Sequence, residues 1–160
     1  MSKIVNYGLI GCGMMAQEHV RNIALLPDAA VTVVYDPVDD LAHAAARLAG
    51  GARVAARLDD LLAETDMDAL VIVSPNDCHL PQLRQIVAQR PLPILCEKPL
   101  FVDPSEAEAV EDLFRDYPHP VWVAMEYRYM PPVAAFVAQA EAATGGIKML
   151  TIREHRFPFL

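Results

Sequence analysis

The chain has 160 residues, 54% of them hydrophobic, and sets 13 Lys plus Arg against 21 Asp plus Glu for a net charge of −8. That length supports one ordinary domain with a fragment of another. An acidic chain without a basic stripe is a poor partner for nucleic acid, and no apolar run reaches the roughly 18 residues of a membrane helix. Met1-Ser2-Lys3 leads directly into an apolar run, so no signal peptide is expected. Cys12, Cys78 and Cys96 lack metal-ligand spacing; they read as reduced thiols of a cytoplasmic protein, with no metal site.

In chain order, residues 4–10 read as a buried strand and 14–26 as a helix. A strand over 31–35 precedes an Ala-rich helix over 41–48, ended by Gly50-Gly51. Residues 52–54 form a short strand, and 58–63 a short helix with Asp59, Asp60 and Glu64 toward solvent. A strongly apolar strand over 69–73 is followed by a helix over 80–89, capped by Asn76 or Asp77. Strand 93–96, helix 105–115, strand 121–125 and helix 133–143 complete the alternation. Gly145-Gly146 is a turn, and 147–156 alternates apolar with charged residues, as in a strand of a different, half-exposed sheet. Continuous apolar strands between amphipathic helices indicate an α/β fold, a doubly wound parallel sheet of the Rossmann kind. Residues 1–126 form this domain, and 127–160 the connecting helix and first strand of an incomplete α+β domain.

Gly11-Cys12-Gly13-Met14-Met15-Ala16 stands where the first strand turns into the first helix. Gly-x-Gly-x-x-Gly/Ala at such a junction is a dinucleotide-binding fingerprint. Gly11 makes the tight turn, Gly13 lets backbone approach a pyrophosphate, and Ala16 is small enough for helix and strand to pack. The backbone at Gly11, Gly13, Met14 and Met15 then offers N–H groups and the helix's partial positive charge to phosphates. Asp36 ends the second strand about 20 residues after Ala16, where the fingerprint places an acid for the adenosine ribose hydroxyls. Pro37-Val38 brings no Arg to accommodate a 2′-phosphate, so NAD is expected rather than NADP. The same Asp-Pro pair is also a common turn after a strand.

Three more segments follow strands, at the edge where such sheets bind ligands. Ser74-Pro75-Asn76, with His79 behind it, reads either as a ligand-lining loop or as a loop with a helix cap. His79 taken alone is a first-turn helix residue. Glu97-Lys98-Pro99 places a lysine that can donate to a substrate hydroxyl or carbonyl, although an isolated Glu-Lys pair reads as solvated. Arg128, between Tyr127 and Tyr129, either closes on a phosphate or substrate or belongs to a surface turn.

Taken together, Gly8 to Gly13, Ser74-Pro75-Asn76 with His79, Glu97-Lys98-Pro99, and Arg128-Tyr129 with Pro131 resemble the Gfo/Idh/MocA family in order and spacing across the chain. Glu-Lys-Pro after a strand is the specific part. The resemblance implies an N-terminal NAD(P)-binding domain and a C-terminal α/β domain with a large, mostly antiparallel sheet. It implies hydride transfer between nicotinamide and a sugar, cyclitol or related alcohol, while the acidic charge and the short apolar runs leave no nucleic-acid or membrane partner expected. Lys98 is then the catalytic residue beside nicotinamide and substrate, and Glu97 contacts the nicotinamide-riboside end. Ser74, Pro75, Asn76 and His79 line the cofactor, and Arg128 joins its site. Glu126 stands where relatives often carry Asn.

The family runs to roughly twice this length, so the Asp and His that complete its catalytic group are expected outside these 160 residues. The chain alone is therefore expected to bind NAD without turnover, and the full-length form to be a homo-oligomer. A NAD-binding sensor would need the glycines and Asp36 but not Lys98. A redox-neutral NAD-dependent glycosidase would return the hydride and form no net NADH. Glu97-Lys98-Pro99 favours the enzyme lineage over the sensor, and net NADH formation with polyols would separate the dehydrogenase from the glycosidase.

Overall fold

The apolar runs become six parallel strands in the computed structural model, which describes residues 3–145 together with 149, 151 and 153. They are β1 (Val5–Ile10), β2 (Ala29–Tyr35), β3 (Arg53–Val54), β4 (Ala69–Ile72), β5 (Ile94–Cys96) and β6 (Val121–Val123). Their spatial order is β3-β2-β1-β4-β5-β6. Helices α1 (Met14–Ile23), α2 (Asp39–Leu48), α3 (Leu58–Leu62), α4 (His79–Gln89) and α5 (Ala107–Phe114) connect them.

Successive strand residues point to opposite faces of a sheet. Leu9, Val34 and Val71 accordingly join Ala16, Val20 and Ile23 of α1 and Ala42, Ala45 and Ala46 of α2 in one core. Their neighbours Ile10, Val33 and Ile72 join Leu61 and Leu62 of α3 and Leu83 and Ile86 of α4 in the other. Each large aliphatic side chain buried this way contributes about 1.5–3 kcal/mol. The small alanines of α1 and α2 let both helices lie close to the first face.

Several boundaries differ from the sequence reading. Helix α1 stops at Ile23 rather than 26, because Pro27 disfavours helical geometry in the residue before it. Leu25 N–H and Leu26 N–H instead donate to the carbonyls of Asn22 and Ile23, tightening the last turn. Asn76 and Asp77 do not cap α4: they form a 3-10 turn, Asn76–Cys78, and α4 starts with no side-chain cap. Asp59 accepts from Gln85 and Gln89 of α4, so it ties α3 to α4 instead of facing only solvent. Before α5, Asp103 and Glu106 form a capping box around Pro104, which sharpens a start expected at 105.

Two compact units divide between Ala124 and Met125. The second begins with a 3-10 turn, Glu126–Tyr129, and a helix α6 (Pro131–Thr144). The strand expected over 147–156 lies outside the described residues, apart from Met149, Thr151 and Arg153. Among the described residues no helix is long and apolar enough to cross a membrane.

Candidate cofactor cleft

The strand order reverses between β1 and β4. Loops leaving the carboxyl ends of these neighbours diverge and open a crevice, as at the switch point of any doubly wound sheet. The crevice measures about 570 Å³ and runs from Gly11, Gly13 and Met14 past Asp36 and Val38 to Ser74 and Gln82.

The two fingerprint glycines do different work. Gly11 has φ +90°, and a Cβ there would lie 2.5 Å from the Ser74 backbone nitrogen. Its lack of a side chain lets the β1 and β4 loops touch. A Cβ on Gly13 would meet nothing within 4 Å. The room it leaves stands before the first turn of α1, which has no side-chain cap and no acidic residue. An uncapped helix start with open space in front of it fits an anion, because its first N–H groups need an acceptor and the helix dipole favours negative charge. The residues present thus fit the pyrophosphate of a dinucleotide.

Asp36 holds the opposite wall. Its Oδ2 accepts the Cys12 N–H at 2.7 Å and its Oδ1 accepts the Val38 N–H at 2.8 Å. It is therefore both the turn after β2 and a brace on the glycine loop. A carboxylate has about four lone-pair positions, so two remain for ribose hydroxyls. Burial, with help from Asp36, pushes the Cys12 thiol up to about 12. The Cys78 thiol on the same cleft wall is also raised, by burial and then by Asp77. Both stay protonated at neutral pH, adding no negative charge against a phosphate and offering no thiolate nucleophile.

On the β4 side, Ser74 Oγ donates to Gln82 Oε1 at 2.6 Å, and both residues line the cleft with Pro75. Sequence reasoning missed Gln82; its signal was a polar residue three positions into α4, on the side of the helix nearest the strand end. Asn76 is exposed and opens the 3-10 turn, outside the cleft wall. His79 is fully buried. Its Nδ1 lies 2.7 Å from the Pro99 carbonyl oxygen and its Nε2 3.0 Å from that of Ser74. It therefore supports the loops from beneath and does not face the cleft.

Glu97 and Lys98 follow β5, one strand further along the edge. Their side chains form no ion pair with each other. Glu97 is almost fully buried, and its Oε1 stands 2.8 Å from His19 Nε2 on α1. Its Oε2 accepts the Lys98 backbone N–H at 3.3 Å. Lys98 itself is exposed, and the peptide to Pro99 is cis. His19 was also missed, although it lies on the buried stripe of α1 between Ala16 and Ile23, where a polar side chain needs a partner. Arg128 is exposed on the 3-10 turn of the second unit. Among the described residues no group of three or more His, Cys, Asp or Glu side chains could hold a metal ion.

The sequence profile of the Gfo/Idh/MocA group, described as an oxidoreductase family with an NAD-binding Rossmann fold, matches residues 5–125. An inositol 2-dehydrogenase of Corynebacterium glutamicum (strain R) is 31% identical across 99% of this chain and 47% of its own. The rhizopine catabolism protein MocA of Rhizobium meliloti is 33% identical across 78% of this chain and 38% of its own. A solved structure of myo-inositol dehydrogenase from Lactobacillus casei, in complex with NAD(H) and myo-inositol, matches with a TM-score of 0.80 at 26% identity. That match covers 88% of this chain and 42% of the other. The chain spans about half the length of the inositol 2-dehydrogenases it matches. With its switch-point cleft, its glycine loop and a family match over nearly all of the first unit, this chain belongs to the Gfo/Idh/MocA oxidoreductase family, whose N-terminal domain is an NAD-binding Rossmann fold.

Proposed function

We propose that this chain supplies the cofactor-binding part of an NAD-dependent dehydrogenase acting on a cyclitol or a related polyol or sugar. The observation that carries the reading is the order of groups along the carboxyl edge: Asp36 after β2, the glycine loop after β1, Ser74 after β4, and Lys98 after β5. With neighbouring strands about 4.8 Å apart, β2 and β5 are about 14 Å apart. An extended dinucleotide laid along this edge brings its adenosine ribose to Asp36, its pyrophosphate to the start of α1 and its nicotinamide toward Lys98. Lys98 is exposed and makes no ion pair among the described residues.

Bound NAD supplies a hydride acceptor for the carbon–hydrogen bond of a substrate carbinol. The hydroxyl proton must leave as the carbonyl forms, and Lys98 Nζ is the group of this chain that hydrogen-bonds that oxygen and helps the proton depart. Inositol dehydrogenases among the relatives support a cyclitol as the substrate class. Because those relatives are about twice as long, the remaining substrate contacts belong to a second domain.

The test splices this segment into a full-length inositol dehydrogenase and follows NADH formation with a panel of polyols. Lys98→Met in that chimera should keep NAD affinity and lower turnover by about 10²–10⁴-fold, the usual contribution of a positioned acid or base. Undiminished turnover would return Lys98 to the role of a solvated surface residue. The 160-residue chain by itself should bind NAD and form no NADH with any of these polyols; robust turnover would show that the substrate contacts are already present.

A further inference from the structure

Glu97-Lys98-Pro99 is held by two imidazoles that come from opposite faces of the sheet. His19 belongs to α1, whose apolar residues Ala16, Val20 and Ile23 pack on one face. His79 opens α4, whose Leu83 and Ile86 pack on the other. His19 Nε2 meets Glu97 Oε1 at 2.8 Å, with both side chains largely buried. His79 spans the Pro99 and Ser74 carbonyl oxygens at 2.7 and 3.0 Å, with no exposure at all. Both oxygens only accept, and a neutral imidazole carries one N–H, so the ring donates to one of them; the shorter contact assigns that bond to Nδ1–H and the Pro99 carbonyl. One residue on each side of Lys98 is therefore fixed to a different helix. The lysine side chain between them is exposed.

We propose that His19 and His79 are positioning residues for Lys98: they clamp the segment from both faces, so that the amine projects from a backbone that cannot drift. The proposal rests on the reading of Lys98 as the group that meets the nicotinamide end. A lysine stem has four carbons and many rotamers, so the amine can be delivered to one place only if its Cα stays still. The requirement is strict, because misplacing a reacting group by about 1 Å can cost about 10²-fold in rate. His79 has a second effect: through Ser74 it joins the lysine segment to the loop that lines the cofactor cleft, so cofactor and lysine share one frame. Neither histidine touches cofactor or substrate on this reading.

The test uses the whole 160-residue chain and reads Lys98 directly. Its lysines are Lys3, Lys98 and Lys148. Reductive methylation with ¹³C-formaldehyde labels each as a dimethylamine that keeps its charge, and Lys98→Arg identifies the Lys98 signal. Spectra are compared without cofactor and at saturating NADH, so that changes in affinity drop out. In the parent the Lys98 signal should move on NADH addition, while that of Lys3, paired with Asp68, stays put. In His19→Ala and in His79→Ala that movement should fall to less than about half. His79→Gln should restore it, because a carboxamide N–H can replace the ring N–H toward the Pro99 carbonyl. Should His79→Ala fail to fold, His79→Gln must keep the parental movement and His19→Ala must lose it. Parental movement in folded His19→Ala and His79→Ala would leave the histidines purely structural and overturn the proposal, with the Lys98 reading intact. A parental signal that ignores NADH would overturn both.

Discussion

Replacing Asp36 by Ser separates the cofactor contact from the structural work the same carboxylate does. Asp36 braces the fold through Cys12 N–H and Val38 N–H, at 2.7 and 2.8 Å. Any substitution therefore weakens the glycine loop, and leaving a partly buried N–H without its partner costs about 1–3 kcal/mol. That loss affects every ligand of the cleft equally. The ratio of NAD to NADP affinity cancels it and isolates the ribose contact. In the parent, a ribose 2′-hydroxyl donating to a carboxylate is worth about 1.5–3 kcal/mol. A 2′-phosphate forfeits that bond and meets like charge, and no Arg stands at Pro37 or Val38 to compensate. NAD should therefore bind at least about ten- to a hundredfold more tightly than NADP. In Asp36→Ser both affinities fall, the preference shrinks to within about threefold, and NADP binding loses its extra salt dependence as the repelling charge disappears. Isothermal titration of parent and variant with both cofactors, at two ionic strengths, reads all three quantities. Equal affinities in the parent, or an unchanged ratio in the variant, would show that Asp36 is a turn residue only.

The glycines and thiols yield two further expectations. Gly13→Ala should keep parental stability, since its Cβ meets open space, yet lose at least about tenfold in NAD affinity because the methyl takes the room left for the pyrophosphate. Gly11→Ala, at φ +90° and 2.5 Å from Ser74 N, should instead destabilise the fold by about 2 kcal/mol or more; urea unfolding of the pair would refute the division of labour if both lost equal stability. Cys12 and Cys96 are both raised by burial from 9.0 to about 12, so the unfolded chain ionises first as pH rises. Their contribution to stability is complete below pH 9 and is lost toward pH 12, at up to about 1.4 kcal/mol per pH unit for each thiol. Urea midpoints across that range should fall less steeply in Cys12→Ala/Cys96→Ala, and an identical slope would remove the thiols from the account.

The alternation of strands and helices was legible because both faces of the sheet are covered, which makes every central strand an unbroken apolar run. The glycine loop and Asp36 were legible because each answers a local demand: a positive φ, a close approach, an acid at a strand end. What stayed hidden was long-range pairing. Glu97 and Lys98 look like a solvated ion pair because they are adjacent, yet neighbours leaving a strand point to opposite sides and cannot meet. Glu97 goes inward, to a histidine 78 positions earlier in the chain. That histidine could have been suspected from its place between Ala16 and Ile23 on the buried stripe of α1, but its partner could not. The capping box around Pro104 was readable in Asp103-Pro104-Ser105-Glu106, which sets an acid three residues before a Glu with Pro at the first helical position. The 3-10 turn before α4 was not readable, since Asn76 and Asp77 suit a cap as well as a turn.

An acidic chain that binds a doubly charged pyrophosphate must do so against its own net charge of −8. The carboxyl edge resolves this locally. The loops after β1, β2, β4 and β5 carry a single cation among Gly11-Cys12-Gly13, Asp36-Pro37-Val38, Ser74-Pro75-Asn76-Asp77 and Glu97-Lys98-Pro99, and it is Lys98. Attraction for the phosphates therefore comes from backbone: the uncapped start of α1, with Cys12 and Cys78 kept as neutral thiols beside it. Two of the acids are held away from the phosphates, Asp36 against the Cys12 and Val38 N–H groups and Glu97 turned inward to His19. On the proposed reading this arrangement also sets direction. A dinucleotide laid the other way would bring its adenosine end to Lys98 and carry the nicotinamide ring to Asp36, away from the amine that meets the substrate oxygen. The edge thus runs from acceptor through helix dipole to cation, in the order of ribose, pyrophosphate and reacting oxygen.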